Sequence, residues 1–470
     1  MSLWTANEIA AITRGDFPGV DAAINGISID TRTLQPGDLY ISLIGENFDG
    51  NDFAHDAIAK GAVAAITTKN DHPQFITVID TMNALQELGK AARARSSAAI
   101  IAVTGSVGKT SVKSMLAQAF SALGKTHSSD GSFNNHWGVP LSLARMPKDA
   151  EYGIFEIGMN HANEIAPLSQ MVEPHVAIIT TIASAHIQYL GSIENIALAK
   201  AEIFQGMNAD GIAILPRDSE QFEILFAEAR KQGLNKVFSF GQSKDAEIQL
   251  ISFENGKITA RLKNKEIGFD FGMPGIHQAV NALSVIAAID GLKKDTAKSL
   301  KAFAEMKPVA GRGDHQEIVL NDKNNPLIII NEAYNASPIA VKAALKVLQS
   351  TPSKNRHIVI LGDMRELGPD GPEFHAELSE AVLEAKPDLI LLCGELMENL
   401  AKKLPAEITH YFSDSKVLSE QIADFVQSGD VLLIKGSNGS KMRLVIEALI
   451  DLSDKLGQGK TQQKASSPTG

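Results

Sequence analysis

The residues with the plainest chemistry form the run Thr104-Gly105-Ser106-Val107-Gly108-Lys109-Thr110-Ser111. Four apolar residues, Ile100 to Val103, lead into it. A helical pattern of Val112, Met115, Leu116, Ala119 and Phe120 follows. A buried strand, a glycine turn and a helix start make a cradle for phosphate, because backbone N–H groups converge there and the helix dipole favours an anion. Gly105 and Gly108 leave room where a side chain would intrude. Lys109 is spaced to reach β- and γ-phosphates, and the Thr110 hydroxyl suits Mg²⁺. The loop is the short T-G-x-x-G-K-T form, with Val103 where the longer pattern carries a glycine.

Other residues could serve the same chemistry, each with a plainer alternative. Glu156 ends the apolar run Gly153-Ile154-Phe155, and a buried carboxylate there calls for a cation, either Mg²⁺ or a salt-bridge partner. His186 follows the run Val176–Ile182 and reads either as a ligand or as a structural histidine. Lys200, on an amphipathic pattern with Ile196, Ala197, Ile203 and Phe204, reads most simply as exposed. It could join a metal site only if its charge were removed or inverted. His277 and Asn281 are four apart on one helical face, where Asn281 could read an adenine edge or simply pack. Arg312, between Gly311 and Gly313, could clamp phosphate or be a solvated linker charge.

These residues need a scaffold, and apolar runs alternating with helical patterns supply an α/β fold. Residues 1–97 read as a small α/β unit. Its polar loops, Ser28 to Arg32 and Glu46 to Asn51, flank strands, where ligands bind in open sheets but where plain turns also occur. Residues 98–313 read as a mainly parallel sheet around the phosphate loop, with an antiparallel patch in 244–271. Residues 314–455 form a third α/β unit with strands at 327–330, 357–361, 389–393 and 431–435. The polar stretch from Ser453, and with it the tail 456–470, is expected to be disordered. A length of 470 residues accommodates three such units, and 44% hydrophobic with 21% charged residues is ordinary for a globular protein. The net charge of −11 argues against nucleic acid as a partner. Cys393, the lone cysteine, excludes an internal disulfide and sits in a buried-type run. With neither a signal-peptide pattern nor a membrane span, a cytoplasmic chain is expected, and a monomer.

Taken together, these residues resemble the Mur ligase family, ATP-dependent amide-forming enzymes of cell-wall synthesis. The most discriminating stretches are Phe133-Asn134-Asn135-His136-Trp137-Gly138-Val139-Pro140-Leu141, Tyr334-Asn335-Ala336-Ser337-Pro338 and Leu361-Gly362-Asp363-Met364-Arg365-Glu366-Leu367-Gly368. The resemblance implies three domains: one for a UDP-sugar peptide, a central P-loop ATPase and a Rossmann-like C-terminal domain. Its partners would be ATP, Mg²⁺, UDP-N-acetylmuramoyl-tripeptide and D-alanyl-D-alanine. Gly105 to Ser111, Asn281 and Arg312 would bind ATP. Ser28, Thr31, Arg32, Asn47, Asp49, Asn134, Asn135, Tyr334 and Asn335 would contact the other substrates. Thr110, Glu156, His186 and Lys200, the last as a carbamate, would hold the metal, while Lys109, His186, Lys200 and Arg312 would serve catalysis. The chain departs from the family's usual pattern at Gln278, Asn331-Glu332, Asn438 and Arg443. Two rivals are another ligase of the superfamily, such as folylpolyglutamate synthase, and a P-loop switch that makes no bond. The N-terminal loops favour a UDP-sugar over a folate, and Glu156, His186 and Lys200 have no purpose in a simple switch.

Overall fold

The computed structural model describes residues 2–184 and 187–465, with side chains as far as 456. Among the described residues three larger sheets divide the chain, with a two-stranded antiparallel pair, Trp4–Thr5 and Ala23–Ile24, near its N-terminus. The first holds four parallel strands, Gly26–Ser28, Asp38–Ile41, Ala64–Thr67 and Phe75–Thr77, in that order. Ahead of it, the helix Ala6–Thr13 starts with a capping box, in which Thr5 and Glu8 satisfy each other's backbone N–H.

The central sheet has nine strands. The strand Ala99–Thr104, third from one edge, pairs in parallel with Val176–Ile179 on one side and Tyr152–Glu156 on the other. Ile101 and Val103 enter a core with Val112, Leu116 and Ile286, while Ile100 and Ala102 enter a second core with Val139, Phe155 and Ile196. Both faces are covered, which is why the strand reads as an unbroken apolar run rather than an alternating one. The chain turns back on itself beside this strand, since the next two strands lie to one side and Val176–Ile179 to the other. Ligand crevices in open α/β sheets form at that reversal. The expected antiparallel patch is present as Ile248–Glu254, Lys257–Leu262 and Lys265–Asp270. Asn255 and Gly256, at φ +50° and +72°, make the first two-residue turn, a geometry that favours this pair of residue types.

The third sheet orders six strands as Asp314–Ile318, Leu327–Glu332, Val431–Lys435, His357–Gly362, Leu389–Cys393 and Thr409–Phe412; only the first is antiparallel to its neighbour. Cys393 is buried there, as its apolar run suggests. Of the stretch from Ser453 expected to be disordered, residues as far as Ala465 continue the helix Arg443–Ala465, and 466–470 lie outside the described residues. Val445, Ile446 and Leu449 on this helix are buried, Leu452 and Leu456 pack on the same core, and the Ser453 hydroxyl donates to the Val319 carbonyl at 2.7 Å. An apolar stripe at helical spacing outweighs local polarity there. Among the described residues no helix is long and apolar enough to cross a membrane.

Candidate active site

The phosphate loop leaves the strand Ala99–Thr104 with Gly105 at φ +144° and enters the helix Lys109–Ser121 with Gly108 at φ +91°. Neither position admits a side chain: a Cβ on Gly105 would lie 2.1 Å from the Thr180 hydroxyl, and one on Gly108 would lie 3.1 Å from Asn281 Oδ1. The loop is tied to the end of the neighbouring strand. Ser106 N–H donates to Thr181 O at 2.7 Å, Thr180 Oγ1 donates to Val107 O at 2.6 Å, and Ser106 Oγ donates to Ala183 O at 3.0 Å. Lys109 folds over its own loop and donates from Nζ to Gly105 O at 2.7 Å.

Glu156 is the hub beside the loop. Its side chain is 1% exposed; Oε2 accepts from Thr110 Oγ1 and Oε1 from Asn134 Nδ2, both at 2.8 Å. Lys113 Nζ lies 3.9 Å from Oε2 and donates to the Ser129 carbonyl at 2.7 Å and to that of Gly131. Glu156 therefore has a buried ammonium beside it as well as a hydroxyl. Burial pushes the Lys109 and Lys113 ammoniums below the ordinary lysine range, the Glu156 carboxylate pulls both back up, and Arg312 adds like charge. Lys109, Lys113 and Arg312 outnumber Glu156 and the Asp130 carboxylate that also acts on Lys113, leaving positive charge that a polyphosphate would neutralise. The Thr110 hydroxyl and Glu156 carboxylate are hard oxygen donors of the kind Mg²⁺ takes, with phosphate oxygens and water completing its shell. Among the described residues no cluster of three His, Cys, Asp or Glu side chains forms, so an ion here would depend on that mixed set.

Lys200 corrects the expectation of an exposed lysine. Its side chain is fully buried, and Nζ has no hydrogen-bond partner. The helix Ile193–Ala201 is covered on more than one face, since Ile196, Ala197, Ala199 and Ala201 are buried along with Lys200. Burial drives the Lys200 ammonium well below the usual lysine range; the charge of Lys109 adds to this and Glu202 opposes it. A buried, unpaired amine whose ammonium form is disfavoured by burial is competent to take up CO₂ as a carbamate, so the residue fits that group. Glu202 itself accepts from the N–H groups of Asn163, Ile165 and Ala166 at 2.6, 3.1 and 3.1 Å, at the start of the helix Ile165–Val172. His186 lies outside the described residues.

Asn281, on the helix Ile276–Gly291, packs against Gly108 and donates from Nδ2 to Gln278 Oε1 at 3.3 Å. Arg312 Nη2 donates to Ser132 Oγ at 3.3 Å, and its guanidinium carbon lies 3.9 Å above the Tyr334 ring. Nearby, the buried Lys435 donates to Glu332 Oε2 and to the Asn335 carbonyl, each at 3.0 Å. Asn331, next to Glu332, donates from Nδ2 to Asp314 Oδ2 at 3.4 Å. Asn135 Oδ1 accepts from the N–H of Gly138, the first residue of the helix Gly138–Ala144, at 2.9 Å. The N-terminal candidates group with one another rather than with the phosphate loop. Ser28 Oγ donates to Asp30 O, Arg32 pairs with Asp30 at 2.7 Å with its side chain 86% exposed, Asp49 accepts from Asn51 N–H, Thr31 is half-buried and Asn47 is exposed.

Lys113 and Ser129 escaped the sequence reading. Lys113 had a signal, four residues after Lys109 and hence on the same face of the helix. Ser129, whose hydroxyl accepts from Glu156 N–H at 3.3 Å, had none, because the contact spans 27 residues.

Comparison with known proteins matches three family descriptions along the chain: "Mur ligase family, catalytic domain" over residues 23–117, "Mur ligase middle domain" over 103–289 and "Mur ligase, glutamate ligase domain" over 316–438. A UDP-N-acetylmuramoyl-tripeptide–D-alanyl-D-alanine ligase of Rickettsia prowazekii is 35% identical over 90% of this chain and 94% of its own length. The protein of that name from Bacillus subtilis is 32% identical over 95% and 98%. Among solved structures, MurF from Acinetobacter baumannii superposes with a TM-score of 0.83 at 26% identity, covering 95% of this chain and 99% of its own.

Proposed function

Because this chain belongs to the Mur ligase family, we propose that it uses ATP to join the amine of D-alanyl-D-alanine to the terminal carboxylate of UDP-N-acetylmuramoyl-tripeptide. Relatives of that name, alike over nine-tenths of the chain, support the choice of substrates. The observation that carries the reading is the convergence on Glu156 of Thr110, Asn134 and Lys113 beside the phosphate loop.

A carboxylate does not acylate an amine at neutral pH, because hydroxide is a poor leaving group. Transfer of the γ-phosphoryl group to the carboxylate makes an acyl phosphate. The amine attacks its carbonyl carbon, the bond from that carbon to the phosphate oxygen breaks, and inorganic phosphate leaves as the amine sheds a proton. The protein's task is to align three ligands and offset phosphate charge rather than to supply a nucleophile. Lys109, Lys113 and Arg312 offset the charge, and the N–H groups of residues 105–111 cradle it. Thr110 and Glu156, with His186 and a carbamylated Lys200, would hold Mg²⁺. Mg²⁺ supplies charge neutralisation on the phosphates. Residues 1–97 would hold the UDP end, 98–313 the ATP, and 314–455 the incoming dipeptide near Tyr334 and Asn335.

The test is a matrix of UDP-muramoyl peptides against amino acids and dipeptides, scored for amide product by mass. The reading requires product with the tripeptide and D-alanyl-D-alanine, and phosphate release that falls away without an amine. Product only with a single amino acid, or undiminished phosphate release with no amine present, contradicts it.

A further inference from the structure

The linker between the second and third sheets holds Arg312 in a fixed frame. Gly311 and Gly313 flank it at φ +75° and +93°. Arg312 N–H donates to Val309 O at 2.9 Å, Gly313 N–H to Asn331 O at 2.8 Å, and Tyr334 N–H to Gly311 O at 3.2 Å. A Cβ on Gly311 would stand 3.2 Å from Tyr334 Cβ, so the backbone is pressed against the base of the tyrosine. The ring carries the guanidinium on its face at 3.9 Å, while Nη2 reaches Ser132 at 3.3 Å. Ser132 is in the same loop as Asn134, which holds Glu156. Tyr334 is itself 42% exposed, more than an aromatic kept only for packing would be. No carboxylate is paired with Arg312 among the described residues, so ring and hydroxyl are its partners.

We propose that the face of the Tyr334 ring positions Arg312 for the nucleotide phosphates, making Tyr334 a positioning residue for ATP through its ring rather than its hydroxyl. A flat guanidinium needs a flat support to present its donor fork in one orientation, and an aromatic face supplies both the plane and a favourable electrostatic field. Because the ring comes from the third sheet and the phosphate loop from the second, the stack makes ATP affinity depend on how the C-terminal unit is seated. This rests on the reading of the chain as an ATP-dependent ligase in which Arg312 meets phosphate.

The experiment is calorimetric titration of the full chain with ATP and Mg²⁺ in the absence of the carboxylate substrate, so that no turnover occurs. Wild type is compared with Y334F, Y334L, R312A, R312K and the double variant R312K/Y334L, each checked for an unchanged melting transition. Tyr334→Leu is expected to weaken ATP about three- to ten-fold, whereas Tyr334→Phe stays within about two-fold, a split that loss of a hydroxyl contact would not give. On the R312K background, where the planar fork is gone and only an ammonium–ring attraction is left, Tyr334→Leu should cost less than it does on the wild type. Wild-type affinity in Y334L alongside a loss in R312A overturns the positioning role, as does a Y334F as weak as Y334L. Wild-type affinity in R312A removes Arg312 from the phosphates and the proposal with it. The product assay would still decide the ligase reading independently.

Discussion

Replacing Lys200 by methionine should make the protein more stable and less active at once. The wild-type side chain places an amine, fully buried and without a hydrogen-bond partner, among Ile196, Ala197 and their neighbours. Leaving such a group unsatisfied costs about 1–3 kcal/mol, and methionine keeps the length of the stem while removing the amine. In a unit of this size that corresponds to a rise of roughly 2–12 °C in the melting transition. The effect has a pH signature. In the unfolded chain the lysine holds its proton to about pH 10.4, but the folded chain releases it well below that. Between those limits the unfolded state binds more protons, so wild-type stability climbs with pH by up to about 1.4 kcal/mol per unit. The advantage of K200M is therefore largest at neutral pH and shrinks towards pH 10. Ligation should fall by at least about a hundred-fold. The assay is thermal melting in decarbonated buffer from pH 7 to 10, paired with product formation. A variant no more stable than wild type at pH 7, with an unchanged pH slope, would mean that the amine is paired or charged after all, and the reasoning fails.

Glu156→Gln keeps groups that can bond Thr110 and Asn134 but removes the charge facing Lys113 and Lys109; ligation should drop at least about a hundred-fold and become insensitive to Mg²⁺, read from ADP release across a magnesium titration. His375 is fully buried, accepts from Met364 N–H at 2.9 Å through Nε2 and donates from Nδ1 to Gly371 O at 2.6 Å, an arrangement open only to the neutral ring. Burial pushes its pKa below the ordinary histidine value, so as pH falls below about 6.5 the unfolded state takes up a proton that the folded state refuses, and stability declines. H375Q, with an acceptor that does not titrate, should flatten that decline in melts between pH 5 and 7.5, whereas H375A should cost about 1–3 kcal/mol at pH 7.5. Asp430, fully buried, pairs with Arg356 at 2.7 Å and accepts from Gln427 N–H at 2.8 Å; Asp430→Asn should cost about 1–3 kcal/mol in urea unfolding while sparing the ligation rate of the folded fraction.

The phosphate loop was readable because its glycines and its Lys-Thr pair answer to local geometry, and the strands because a sheet covered on both faces demands unbroken apolar runs. What sequence order hides is which distant side chains meet. Asn134 and Thr110 reach Glu156 across 22 and 46 residues, and nothing in their own neighbourhoods announces it. Lys200 was misjudged because an amphipathic pattern reveals the apolar face of a helix but not whether its polar face is covered too. The helix Arg443–Ala465 was missed at its far end because a polar composition concealed Leu452 and Leu456 at helical spacing. Tyr334 and Asn335 are candidates only through the family resemblance, since their own residue types carry no chemistry that spacing could disclose.

The most direct test of the central claim follows the oxygen atoms. The tripeptide substrate is made with ¹⁸O in its terminal carboxylate, turned over with ATP and D-alanyl-D-alanine, and the released phosphate is weighed by mass spectrometry. If the carboxylate is phosphorylated before the amine attacks, one labelled oxygen from each substrate molecule appears in inorganic phosphate. Amide product accompanied by unlabelled phosphate would contradict it.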